Sequence, residues 1–493
     1  MPMRFEFIRD DTLPLGAWAL RARSHSDNVV VRHGANVETF DDRFFSGVWT
    51  GEFGAADFAN ADVRVGTGAL LRDGHLELIT PTHPYSGVYV TRTDGRLLAS
   101  NSMVGLLAET DARPVVGRVH YFNVLSRQNR YPDHDHDFDF GHTVIRSLRL
   151  DRFVVNADLA VQRVTTTGNI RFSDFTSFRS RLTDVLAGLA DNATCATRVQ
   201  PLTLKATLSA GYDSAAAAAL ACDAGWRDAV TIVRTDHGAD DSGAAVAGHL
   251  GYRCESISAD AWKACGPLPE AEFLVAAGPV TRVRLTAAST LGQSVILTGT
   301  MGDMAWKPGV PMIRRRYRRP FDYPGTEDGL NEWALRIGSV FLPVPSLGAD
   351  DRAQLRRVAG AAELAPWKLN NDYDRPLPRR IAEERGVPRD AFGQRKMASA
   401  QVTASTQMAD ESRKDFDAWL REHGVTRATK RHRARRGTSR VALNLSQRFT
   451  SEDFAEDVRN WRMVVYPTWR AAHLFHWAVE RTRTRYGEPF FDR

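Results

Sequence analysis

Cysteine is scarce. The chain has four, Cys195, Cys222, Cys254 and Cys265, irregularly spaced and without a C-x-x-C pair. That argues against a disulfide framework or a zinc ribbon and predicts reduced thiols. No apolar run approaches the roughly 18 residues that a membrane helix needs. The opening Met1-Pro2-Met3-Arg4-Phe5-Glu6-Phe7 lacks the apolar core of a secretory leader, so the expected location is cytoplasmic. No G-x-x-x-x-G-K-[ST] sequence occurs, which disfavours an ordinary P-loop nucleotidase. Net charge is a modest +6.

What is present suits a globular protein of more than one domain: 493 residues, 43% hydrophobic and 25% charged. Arginine gathers in two places, Arg314 to Arg319 and Lys430 to Arg436. A solvated basic loop explains each; nucleic acid or an acidic substrate is the alternative. Residues 1 to about 165 read as β-rich, with short runs such as Arg4 to Arg9, Leu76 to Ile79 and Gly87 to Thr91 between turn residues. Asp133 to Asp139 with His142 is dense in imidazole and carboxylate, but alternating ligands in an expected loop fix no geometry, so a solvated tether is preferred over a metal site. From Phe172 to Ala190 the spacing predicts an amphipathic helix. Strands and helices then alternate: Ala229 to Arg234 and Tyr252 to Ile257 as strands, Asp241 to Leu250 as a helix. That alternation predicts a parallel, doubly wound sheet.

The chain is organised around residues 202–222. Leu202, Leu204, Ala206 and Leu208 alternate as in a strand, Ser209 to Asp213 turn, and Ser214 is expected to open a helix of small residues. A strand, a glycine-bearing loop and a helix N-terminus make an anion site, with Gly211 removing a Cβ from the phosphate's path. Asp213 would repel bare phosphate unless a divalent cation lay between them. Later, the apolar run Ser294 to Thr298 ends in Gly299-Thr-Met-Gly-Asp-Met304, again a loop with glycine and one aspartate.

Ser209-Ala-Gly-Tyr-Asp-Ser214 resembles the pyrophosphatase loop, usually Ser-Gly-Gly-x-Asp-Ser, of the asparagine synthetase family, which includes β-lactam synthetases and lasso-peptide cyclases. The second loop is similar to that family's Gly-Glu-Gly-x-Asp-Glu. The resemblance implies an α+β, glutaminase-like sandwich domain over 1–168, then over 169–493 an α/β doubly wound parallel-sheet ATP-pyrophosphatase domain with a helical C-terminal extension. It also implies ATP and Mg2+ as cofactors, the ion shared by Asp213 and Asp303. Ser209, Gly211, Tyr212, Ser214 and Gly299 would line the ATP and pyrophosphate site, Tyr212 chiefly through its backbone, and the end of the strand at Val233 would meet adenine. Phe392-Gly-Gln-Arg-Lys-Met397 matches the family's C-terminal lysine motif, which places Lys396 beside the α-phosphate as a catalytic residue with Asp303.

Three departures stand out. Ala210 replaces a glycine, Thr300 and Met304 stand where the family has glutamates, and no cysteine precedes Cys195, so the first domain is read as a degenerate scaffold without glutaminase activity. The expected activity is an AMP- and pyrophosphate-forming amide synthetase acting on a carboxylate and an amine or ammonia. Asparagine synthetase proper, a tRNA-modifying adenylating enzyme and a silent ATP-binding scaffold are the alternatives. The lack of paired cysteines or an RNA-binding module counts against a nucleic-acid partner. A homodimer is a family-level expectation, and no membrane partner is expected.

Overall fold

The computed structural model describes residues 3–83, 85–93, 95–113, 135–165, 170–233, 241–259, 261, 266–269, 271, 288–306, 329–349, 351–371, 373–394, 409–425, 471–487 and 489–491. Strands β1 (Arg4–Arg9), β2 (Trp18–Arg23), β3 (Asn28–His33), β4 (Glu38–Phe40), β5 (Arg43–Trp49), β6 (Arg64–Arg72), β7 (His75–Ile79), β8 (Val88–Thr93) and β9 (Arg96–Ser100) lead to helix α1 (Met103–Glu109). After it come β10 (His136–Asp139), β11 (Val144–Leu148), β12 (Arg152–Val155) and β13 (Val161–Val164). They form two sheets, in the orders β1-β3-β2-β9-β8-β11-β10 and β13-β12-β7-β6-β5-β4. Alternation along the strands turns one face of each sheet toward the other, and Leu20, Val31 and Ala99 from the first share a core with Phe44, Leu78 and Phe153 from the second. Trp18 meets Phe44 edge to face across that gap at 5.1 Å. Local turn chemistry sets register: Asp73 and Gly74, at φ 51° and 76°, make the primed turn that pairs Arg72 with His75.

The acidic segment is not a plain loop. His136–Asp139 pairs antiparallel with Val144–Leu148, and Arg146 donates to Asp137 at 3.1 Å across the pair. Cross-strand charge pairing gives Asp137 a partner, Asp139 accepts from the Gly141 N–H, and among the described residues no cluster of three or more His, Cys, Asp or Glu side chains is arranged to hold a metal. Asp133 and His134 lie outside the described residues.

The second half opens with α2 (Phe175–Thr194), started by a capping box in which Asp174 accepts from the Ser177 N–H at 2.8 Å. It begins three residues later than its apolar spacing suggests because that cap sets the start. Then come β14 (Thr203–Leu208), α3 (Tyr212–Asp223), β15 (Asp228–Val233), α4 (Ala244–Leu250), β16 (Arg253–Ser258), α5 (Ala288–Leu291), β17 (Ser294–Thr298), α6 (Gly302–Ala305), α7 (Gly329–Ile337) and β18 (Val340–Pro343). Helices α8 (Arg352–Ala359), α9 (Pro376–Glu383), α10 (Asp410–Glu422) and α11 (Ala471–Arg483) follow among the described residues. The five strands are all parallel, in the order β16-β15-β14-β17-β18. Ala215 to Ala219 of α3 are fully buried, and side chains that small let α3 lie close against its neighbours.

One hydrophobic cluster runs from the first half into the second, joining Val65 and Tyr85 to Leu335 and Phe341. Polar ties reinforce it: Glu332 of α7 accepts from the Ser102 hydroxyl and from Tyr486 Oη, and Asn331 donates to the Asn101 carbonyl. Phe490 and Phe491 act as packing anchors, their N–H groups donating to Glu109 while Arg32 and Arg21 cover their rings. The expected boundary at 168/169 lies outside the described residues. Among the described residues no helix is long and apolar enough to cross a membrane.

Candidate functional site

In sheet order the strand sequence reverses between β14 and β17, neighbours in the middle of the parallel sheet. Open α/β sheets hold ligands outside the carboxyl ends of the strands at that switch point, because the connections leave it on opposite faces and open a crevice. The loops leaving those two strands are 209–211 and 299–301, the two singled out in the sequence. Val233 ends β15, the strand beside β14, at the same sheet edge.

The first loop is shaped by its own serines. The Ser209 N–H donates to Ser214 Oγ at 3.1 Å, the two hydroxyls lie 2.9 Å apart, and the Gly211 N–H donates to Ser209 Oγ at 3.2 Å. Helix α3 starts at Tyr212 rather than at Ser214, with Gly211 as an N-cap that has no side chain to satisfy the first-turn N–H groups. Gly211 sits at φ −80°, a conformation open to any residue, so its value is the space it leaves. The Ala210 N–H donates to the Asp241 carbonyl at 3.0 Å. Asp241 is thus part of this loop's support and not the start of α4, which begins at Ala244.

The second loop touches the first. A Cβ on Gly302 would lie 2.2 Å from Asp213 Cγ, and one on Gly299 would lie 2.3 Å from the Asp213 carbonyl carbon. Gly299 lets backbone approach backbone and Gly302 makes room for the Asp213 side chain, so these two glycines bring the loop bearing Asp303 against the first turn of α3. Asp303 occupies the single turn α6 where a loop was expected, entered through Met301 at φ 75°. A methionine in the left-handed region costs about 1 kcal/mol, which the packing here sustains. Thr300 and Gly299 stand between; the side chain of Met304 lies outside the described residues. We expect Gly299→Ala to destabilise the fold by about 2 kcal/mol by forcing the two loops apart, measured as a lowered urea midpoint with an unchanged slope.

Electrostatics mark the same corner as acidic. Burial pushes the Tyr373 hydroxyl well up, and the Asp213 and Asp241 carboxylates raise it further. Among the described residues no group of three or more His, Cys, Asp or Glu side chains is arranged as a metal cage here; Asp213 and Asp303 are hard oxygen donors of the kind that could hold Mg2+, an ion that keeps several waters and takes further ligands from phosphates.

Tyr212 is placed by its side chain as well as its backbone. Its ring is buried, its hydroxyl donates to the Tyr373 carbonyl at 3.1 Å, and Arg379 of α9 donates to that hydroxyl at 2.7 Å. Nothing local in the sequence signals this contact. The Gly393 N–H donates to the Ala210 carbonyl at 2.7 Å, fastening the segment after α9 to the same loop. Lys396 and both arginine clusters lie outside the described residues.

A separate cleft of about 50 Å³ lies between the halves, lined by Thr67, His83, Asn101, Asn331, Leu335 and Phe341 among others. It meets the starting end of β18, opposite the edge that bears the loops. Burial, helped by Arg149, pushes the His83 imidazole down to about 3, and its Nδ1 accepts from the Tyr85 N–H. The ring there is neutral with its proton on Nε2, so this cleft offers no charge to a phosphate. No protein-family model matches the chain, and no curated protein matches it.

Proposed function

We propose that the chain is an ATP-dependent carbon–nitrogen ligase that adenylates a carboxylate, releases pyrophosphate and transfers the acyl group to an amine or ammonia. One observation carries this reading: two aspartate-bearing loops leave the strands that flank the switch point and meet where Gly302 lies against Asp213. The substrate carboxylate oxygen attacks the α-phosphorus and the α–β bridging bond breaks, with pyrophosphate leaving. The amine then attacks the acyl carbon, AMP leaves, and the amine proton passes to solvent.

In this scheme the first turn of α3 and the Ser209–Ser214 loop bind the pyrophosphate portion through N–H groups and the helix dipole. Mg2+ bound by Asp213 and Asp303 would offset phosphate charge and ease departure of the leaving group. Val233 would border the adenine. The tie between Gly393 and Ala210 supports a role for Lys396, which follows three residues later in the chain, at the α-phosphate. With no cysteine before Cys195, the first half is read as a scaffold, and the nitrogen would come from free ammonia, a second substrate or an amine within the same molecule. A silent nucleotide-binding scaffold is the second reading, favoured by Thr300 and Met304 in place of carboxylates.

The test is incubation with Mg-ATP, ammonium and a pool of amino acids and other small carboxylates. Equal amounts of AMP and pyrophosphate, dependent on one component, are expected. ADP in place of AMP overturns the proposal, and ATP binding without turnover in a broad pool favours the scaffold. Lys396→Met is expected to lower kcat for pyrophosphate release about a hundredfold with a smaller change in KM for ATP, because its charge would count most in the transition state.

A further inference from the structure

We propose that Arg379 is a positioning residue for the anion-binding loop, acting through Tyr212 and holding the Gly393 segment to the same loop. This rests on the reading that the loop binds nucleotide. The Arg379 side chain is fully buried, and a buried guanidinium is costly unless its surroundings compensate it. Its carboxylate partner is Glu383 at 3.0 Å, which also accepts from Arg389 at 2.8 Å. Charge pairing on the α9 side would need no contact with α3, yet the guanidinium carbon lies 4.8 Å from the centre of the Tyr212 ring and 5.0 Å from that of Phe392. It also donates to Tyr212 Oη at 2.7 Å and to the Gly393 carbonyl at 3.4 Å.

Each contact fixes a different part of the loop. Tyr212 is the first residue of α3, so holding both its ring and its hydroxyl sets the direction of the first-turn N–H groups. Gly393 has φ 63°, and a Cβ there would lie 2.4 Å from the Tyr212 ring. The Gly393 N–H reaches the Ala210 carbonyl at 2.7 Å, so both sides of Gly211 are held from one buried cation. Lysine could keep the charge but not the planar fork that stacks and donates in two directions.

The test is calorimetric Mg-ATP binding to the full chain and to Arg379→Lys, Tyr212→Phe and the double variant, with melting temperatures recorded for each. Arg379→Lys is expected to bind about tenfold more weakly and Tyr212→Phe about threefold, since small displacements of a binding loop weaken it steeply. The double variant should be no weaker than Arg379→Lys alone, because both changes cut one path. A purely structural role would lower the melting temperature and leave the affinity intact; unchanged affinity in folded Arg379→Lys, or additive losses, overturns the proposal. If Arg379→Lys does not fold, Tyr212→Phe decides by the same criterion, since it keeps the ring and removes only the hydroxyl. Failure of the unchanged protein to bind Mg-ATP would overturn the nucleotide reading itself and this inference with it, whereas binding that the variants leave unaltered removes this inference alone.

Discussion

Replacing Asp213 with alanine is expected to reduce pyrophosphate release about a thousandfold, equivalent to roughly 4 kcal/mol of transition-state stabilisation, with the unfolding transition retained. Asp213 sits in the first turn of α3, and its side chain packs against the Cα of Gly302. Losing the carboxylate removes a favourable helix-dipole interaction of about 0.5 kcal/mol and opens a small gap, neither of which unfolds a domain. On the proposed reading the large effect is on chemistry: without that charge a cation between protein and phosphate would lose one of its two carboxylates. Asp213→Asn separates charge from volume, because it keeps the contact with Gly302 and removes the negative charge. Both variants should be slow. Pyrophosphate release at the unaltered rate in Asp213→Ala would remove the adenylation reading.

Local pattern carried the elements well and the contacts poorly. The apolar run Ser294 to Thr298 marks a strand buried on both faces of a parallel sheet, whereas Leu202 to Leu208 shows period-two alternation, with Ala206 and Leu208 buried and Leu204 and Thr207 partly covered. Asp135 to Asp139 misled because the charges look like a solvated tether, whereas Arg146 across the strand pairs with Asp137 and Arg163 further on pairs with Asp135, partners that the segment itself does not reveal. The loops at 209–214 and 299–304 were visible as glycine and aspartate at strand ends. Their contact was not, because it depends on what a Cβ at Gly299 or Gly302 would strike. Arg379 reads in sequence as one more basic residue in an arginine-rich helix. Its burial between Tyr212 and Phe392 arises from tertiary packing of α9 on α3, which periodicity within either helix does not encode.

The joint between the two halves yields the largest expected change in stability. Glu332 accepts from Ser102 Oγ at 2.8 Å, from Tyr486 Oη at 2.9 Å and from the Val104 N–H at 3.3 Å, so one carboxylate gathers the start of α1, helix α7 and the turn after α11. Glu332→Ala leaves these donors without their acceptor inside an interface, and a cost of about 3 kcal/mol is expected. Glu332→Gln keeps an acceptor oxygen and should cost under about 1 kcal/mol at neutral pH. The two also differ in pH dependence. Burial is the main cause that raises the Glu332 carboxyl above its ordinary 4.5, outweighing the donors that lower it. A carboxyl with a raised value in the folded state binds its proton more tightly there than in the unfolded chain. Its contribution is therefore fully present below about 4.5 and lost as pH rises through the folded value. Denaturation at pH 5 and pH 8 should show the unaltered protein losing more stability over that interval than Glu332→Gln, which has no proton to lose. An equal loss in both would place the pH dependence elsewhere, and an alanine variant as stable as the glutamine one would mean that solvent, not Glu332, satisfies the donors at this joint.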